Sequence, residues 1–182
     1  MNIRALALAG ALVLAGESQA QTAQVTFSGN LLPTTCVVNV RTNGGSLGGD
    51  GTLVLAPVPA KDLANPGDRT GRRIWQVIVG NDMEQCLAPR VQVGFRNAGK
   101  VNAEGRLSNS GTARNVDIVI SNAEIGSGNP DIDLTSNKNS QVRDIPPATG
   151  WVTLTYASEY YATTRATGGT VATSVQYDLI YP

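Results

Sequence analysis

The 182-residue chain contains no histidine. That removes the imidazole on which most hydrolytic triads and many general-base mechanisms depend, and without CxxC spacing it leaves two isolated thiols short of a four-ligand zinc site unless carboxylates join them. Charged residues are few, 15% of the chain, and 14 basic side chains balance 14 acidic ones. The basic residues are scattered, so the clustered footprint of a nucleic-acid binder and the polybasic face of a membrane-docking protein are both missing. No apolar run reaches the roughly 18 to 20 residues that span a bilayer. Gly44, Gly45, Gly48 and Gly49 lack the following Lys-Ser/Thr and the helix of a phosphate-binding loop. Asp131 and Asp133 form a carboxylate pair that could serve glycoside chemistry. Their Pro-Asp-Ile-Asp run beside Gly128-Asn129 instead reads as a polar turn at a strand edge. The sequence is read as that of a non-enzyme with no cofactor and no metal.

At the N-terminus, Arg4 precedes the apolar run Ala5 to Ala15 and then Ser18-Gln19-Ala20, with small residues where a signal peptidase reads. Residues 1–20 are therefore expected to be a signal peptide, and the mature chain to begin at Gln21. The 162 residues left (182 minus 20) are one domain's worth of chain. In an exported protein, Cys36 and Cys86, fifty residues apart, most simply form a single disulfide. A metal pair or a free reactive thiol is the alternative. Closing that loop stabilises a fold by roughly 4 kcal/mol on the chain-entropy model.

What is abundant is turn and strand material: 20 Gly, 9 Pro and many short Val/Ile/Thr-rich runs. Strands are expected over Val25–Leu32, Thr35–Val40, Thr52–Leu55, Ile74–Val79, Val91–Phe95, Val116–Ser121, Trp151–Tyr161 and Val171–Tyr181. Turn signals such as Asn65-Pro66-Gly67-Asp68 and Asn97-Ala98-Gly99-Lys100 separate many of them. Trp75, Val77 and Val79 alternate, as do Val116, Ile118 and Ile120, and Val152, Leu154 and Tyr156. Short alternating strands at this density predict two packed antiparallel sheets around one core, with Trp75 as core packing.

The two ends of the mature chain are complementary. The final GTVATSVQYDLIYP places Val171, Val175, Tyr177, Leu179 and Tyr181 on one side of an extended segment that has no later strand to pair with. Near the start, Val25, Phe27, Gly29 and Leu31 alternate in the same way. Fifteen residues from Gln21 to Thr35 reach on the order of 50 Å when extended, enough to run along a neighbouring sandwich. A glycine inside such a strand costs stability and marks close backbone approach. Each end also has an ordinary reading: a first strand of its own domain with Gly29 at a bulge, and an edge strand with Tyr181 at the core rim. The residue pattern by itself leaves both readings of each end open.

The stretches AQVTFSGNLLPTTC, RNVDIVISN from Arg114, YASEYYAT from Tyr156 and the terminal GTVATSVQYDLIYP together resemble bacterial fimbrial subunits of the type 1 and P-pilus kind, the chaperone-usher family. The similarity covers essentially the whole mature chain. Its most specific element is a glycine fourteen residues from the terminus with a penultimate tyrosine, here Gly169 and Tyr181. The Cys36–Cys86 pair fits the family's single disulfide. One departure is the segment Gly80 to Gln85, longer than the family's usual link.

The resemblance implies an all-β, incomplete immunoglobulin-like sandwich over residues 36–182 that lacks its seventh strand. A groove then lies beside the C-terminal segment of Gly169, Val171, Val175, Tyr177, Leu179, Tyr181 and Pro182. It further implies an N-terminal donor-strand arm over residues 21–35, with Val25, Phe27, Gly29 and Leu31 entering a neighbour's groove. A periplasmic chaperone would first lend a strand and grip the Pro182 carboxylate. After passage through an outer-membrane usher, other pilin subunits would join head to tail into a fibre that does not close. The expected location is the cell surface, in an adhesive fimbrium reached through the periplasm, with no nucleic-acid partner and a host-cell receptor met only through the assembled fibre. The alternative is a tip-proximal adaptor or adhesin that binds a host receptor. Adhesins of this family add a receptor-binding domain and lack the arm, whereas this chain has the arm and no room for the extra domain.

Overall fold

A computed structural model describes residues 36–42, 45–46, 48–123 and 128–182. The expected signal peptide, the arm over residues 21–35 and its strand Val25–Leu32 lie outside the described residues.

The described residues form nine strands, the longer of them carried by alternating apolar positions: β1 (Val38–Thr42), β2 (Gly45–Ser46), β3 (Arg69–Val79), β4 (Arg90–Arg96), β5 (Leu107–Ser108), β6 (Val116–Asn122), β7 (Val142–Asp144), β8 (Val152–Ala162) and β9 (Gln176–Ile180). A single 3₁₀ turn, Ala60–Leu63, is the one helical element among the described residues. The strands form a six-stranded sheet in the order β2-β1-β3-β8-β6-β5 and a three-stranded sheet in the order β7-β4-β9. Every strand pairing is antiparallel.

Register places the apolar sets on facing sides. In the larger sheet Val77 pairs with Leu154 and Val79 with Val152, while Ile118 and Ile120 of β6 lie opposite Tyr160 and Ser158 of β8. The smaller sheet contributes Val91, Val93 and Phe95, all buried. These inner faces meet in one core that also takes in Ile132, Leu134, Ile145 and Tyr156. A one-residue slip in any of these strands would turn its apolar row to solvent, so burial of one face fixes the register.

Cys36 and Cys86 are joined, with Cα atoms 5.0 Å apart, and no free cysteine is described. The bond ties the entry to β1 of one sheet to the entry to β4 of the other. It sets aside the metal-pair and free-thiol alternatives for these two sulfurs.

Some expected elements differ. Thr52–Leu55 belongs to no strand; just before it the chain lies over β1, so close that a Cβ on Gly51 would meet Val40 and Thr42 side chains. The strand expected over Val171–Tyr181 shortens to Gln176–Ile180, because its first half is held by a loop rather than by a ladder. There, the Ala113 and Ser110 amides donate to the Thr170 and Ala172 carbonyls. The Asn109 side chain accepts from the Ala172 amide at 2.9 Å, and Thr112 and Thr170 exchange side-chain bonds with each other's amides.

Candidate functional site

A concavity of about 1260 Å³ lies between the two sheets on the flank of β9. Strand β9 pairs with β4 along one edge, and among the described residues no strand is paired to its other edge. That leaves one row of backbone donors and acceptors turned toward the groove, a template for another extended chain. The second wall comes from β1 and the segment at 49–55, through Val38, Val40 and Leu55.

The floor is core surface. Trp75, Leu107, Ile118, Ile120 and Tyr160 all reach it, although Ile118 and Ile120 are otherwise buried among the strands. Trp75, expected as plain core packing, is half-buried. It packs against Tyr156 at 4.9 Å and Phe95 at 6.4 Å between ring centroids, and its indole N–H donates to Ser158 Oγ at 3.0 Å. That bond orients the ring, so one part of it serves the core and the rest serves the groove.

The predicted C-terminal residues gather here. Val171, Val175, Tyr177 and Leu179 line the groove, and with Tyr181 all five are half-buried and packed against the core. Leu179 and Tyr177 sit opposite Val93 and Phe95 in the ladder. Gly169 lies at the end of the segment, where a Cβ would come within 2.8 Å of Ala113 Cα; a side chain there would force the 169–172 stretch off its anchor. Pro182 is exposed. Val25, Phe27, Gly29 and Leu31 lie outside the described residues.

Two tyrosine hydroxyls, of Tyr177 in β9 and of Tyr181 just after it, cross to the other wall. Tyr177 donates to the Gly49 carbonyl at 2.6 Å, and burial, then the Asp50 charge, push its phenol pKa up. Burial also raises Tyr181, against an opposing hydrogen bond with the Cys36 backbone. On the rim, cross-strand Arg96 and Asp178 form an exposed ion pair.

Asp131 and Asp133 are both engaged in hydrogen bonds within the fold. Asp131 takes a bidentate pair of bonds from Arg69 at 2.8 and 2.5 Å. The Asp133 carboxylate caps the following turn through Thr135 and Ser136, which hold its pKa down to about 2. The second wall around Gly49–Leu55 was not anticipated as part of the site; its signal in the sequence was the apolar Leu53, Val54 and Leu55 run, read there as an ordinary strand.

The chain is 30% identical over 167 residues to the major fimbrial subunit SMF-1 of Stenotrophomonas maltophilia (strain K279a), spanning 86% of this chain and 90% of that protein. It is 31% identical over 169 residues to the F17 fimbrial protein of Escherichia coli, spanning 87% of this chain and 86% of that protein. Among solved structures, the P pilus rod subunit PapA aligns with a TM-score of 0.51 at 14% identity, covering 87% of this chain and all of that one; the likeness is one of fold, the immunoglobulin-like sandwich. No family model matches the chain.

Proposed function

This chain belongs to the bacterial fimbrial subunit family, and from that premise we propose that it is a structural subunit polymerising by donor-strand exchange. The arm of residues 21–35 enters the groove of one neighbour, and the groove of this subunit receives the arm of the next. Val25, Phe27 and Leu31 are the inserting side chains, Gly29 the point of close approach. The observation that carries this reading is the groove itself, with one edge of β9 turned to it and the apolar floor of Trp75, Ile118 and Ile120 beneath.

The magnitudes support it. From Val171 to Tyr181 the receiving wall is eleven residues, about 36 Å if fully extended, and the arm is longer. Each inserted Val, Phe or Leu contributes roughly 1.5 to 3 kcal/mol when fully buried, before ordering costs. Backbone bonds to β9 add to that and cover an edge that would otherwise promote aggregation. Until a neighbour arrives, a periplasmic chaperone supplies the strand, and an outer-membrane usher passes the subunit to the fibre at the cell surface. The reading is tested by shearing fibres from cells and running them in denaturing detergent without boiling. A ladder of strand-exchanged multimers is expected; monomer alone would reject it.

A further inference from the structure

We propose that the outer face of the six-stranded sheet carries a saccharide-binding pocket closed at one end by Trp151, independent of the groove and of the polymerisation reading. The pocket, about 420 Å³, falls within the size range of small-molecule sites. Its side chains alternate with those that form the core, so it lies on the opposite face of the sheet from the groove. Register assembles it: Arg41 of β1 pairs with Gln76 of β3, which pairs with Thr155 of β8, and the adjacent row brings Ile78 beside Thr153.

The end of the pocket is closed by Trp151 and by the loop holding Asn81 and Asp82. Trp151 is 37% exposed, whereas large aromatics are mostly well covered. It is nevertheless fixed, since its indole N–H donates to Asp82 Oδ1 at 3.1 Å. The loop is fixed as well. Asn81 Oδ1 accepts from the Met83 and Glu84 amides at 2.8 and 2.7 Å, and the Cys86 amide donates to the Gly150 carbonyl at 2.7 Å. Gly80 and Gly150 have φ of 77° and 66°. A Cβ on Gly80 would come within 3.1 Å of Trp151 Cα, so the close approach of the loop to Trp151 requires glycine there.

The chemistry selects the ligand. A flat apolar ring held in place offers a stacking surface for the C–H face of a pyranose. Beyond it along the pocket lie the Asn81 amide, the Thr153 hydroxyl and then Gln76 and Thr155, which together donate and accept as the hydroxyls of a sugar require. Gln76 and Thr155 are only 3.5 Å apart in a long bond, weak enough to yield to a ligand. Arg41 and Asp82 bring one charge of each sign to the lining, which disfavours a phosphate or a strongly ionic ligand and leaves a neutral saccharide as the match.

The test is an NMR titration of the full chain with glucose, galactose, mannose, N-acetylglucosamine and lactose, read at the indole N–H signals of its two tryptophans. The Trp151 signal, assigned from Trp151→Phe, should move saturably with at least one of these sugars while the Trp75 signal stays. Gln76→Ala and the near-isosteric Thr155→Val, judged folded by an unchanged Trp75 signal, should each weaken binding at least about fivefold, the loss of a hydrogen bond. No saturable movement with any sugar, or equal movement of both indoles, or undiminished binding in both variants, would overturn the proposal.

Discussion

The Tyr177 hydroxyl donates to the Gly49 carbonyl at 2.6 Å and so joins the two walls of the groove, β9 on the three-stranded sheet and the segment lying over β1 on the other. A strand entering between those walls meets this bond. Tyr177→Phe keeps the apolar ring and removes the link. It is expected to cost about 0.5 to 1.5 kcal/mol of stability and to speed uptake of a synthetic peptide of residues 21–35, measured by stopped-flow fluorescence. Unchanged stability and uptake would mean that the bond spans nothing that matters.

The same hydroxyl gives a pH dependence. Its folded-state pKa lies above the ordinary value of 10.0 because of burial first and Asp50 second, so the folded state holds this proton more tightly than the unfolded one. The stabilisation is complete below pH 10 and falls as pH rises through the folded value. Chemical denaturation at rising alkaline pH should show a decline that is smaller in Tyr177→Phe; parallel profiles for the two proteins would contradict the assignment.

Loss of the Cys36–Cys86 bond should lower stability by roughly 4 kcal/mol for its 50-residue span. The larger consequence is local, because Cys36 leads into β1, one wall of the groove. Cys36→Ala with Cys86→Ala should weaken peptide capture as well as lower the denaturation midpoint. Capture unaffected at a temperature where the variant is still folded would show that the wall does not need the tether.

Gly169→Val places a branched side chain against Ala113 and Thr112. Overpacking of this kind costs about 1 to 3 kcal/mol, and here it would lift Val171 from the groove wall. Calorimetry should show the destabilisation, and deletion of residues 169–182 should abolish folding and chaperone capture together. A stable truncated monomer would argue against the groove.

How much of this was legible in sequence depends on range. Val116, Ile118 and Ile120, or Val152, Leu154 and Tyr156, announce their strands because one buried face imposes period two. The groove-lining row Val171, Val175, Tyr177 and Leu179 was legible for the same reason. The strand bounds were not: residues 170–172 are held through Asn109, Ser110 and Thr112, partners some sixty residues away whose proximity no local pattern encodes. β7, read as Val-Arg-Asp, has too few apolar residues to alternate. Thr52–Leu55 carried a strand composition that cannot distinguish a paired strand from an unpaired wall of the groove. The Arg41, Gln76 and Thr155 row exists only through register between three strands, and Trp75 packs against the core as expected while also lining the groove, a division that hydrophobicity alone does not encode.

Cross-linking between arm and groove is the most direct test of the strand-exchange account. Fibres are grown from a mixture of two subunits, one carrying Phe27→Cys and the other Val40→Cys, Leu55→Cys or Leu179→Cys in turn, and are then oxidised. The account predicts covalent dimers between the two kinds of subunit for at least one groove position, and none when Phe27→Cys is mixed with an exposed position such as Lys100→Cys. Absence of dimers at all three groove positions, together with efficient bonding inside a single chain that carries both substitutions, would contradict it.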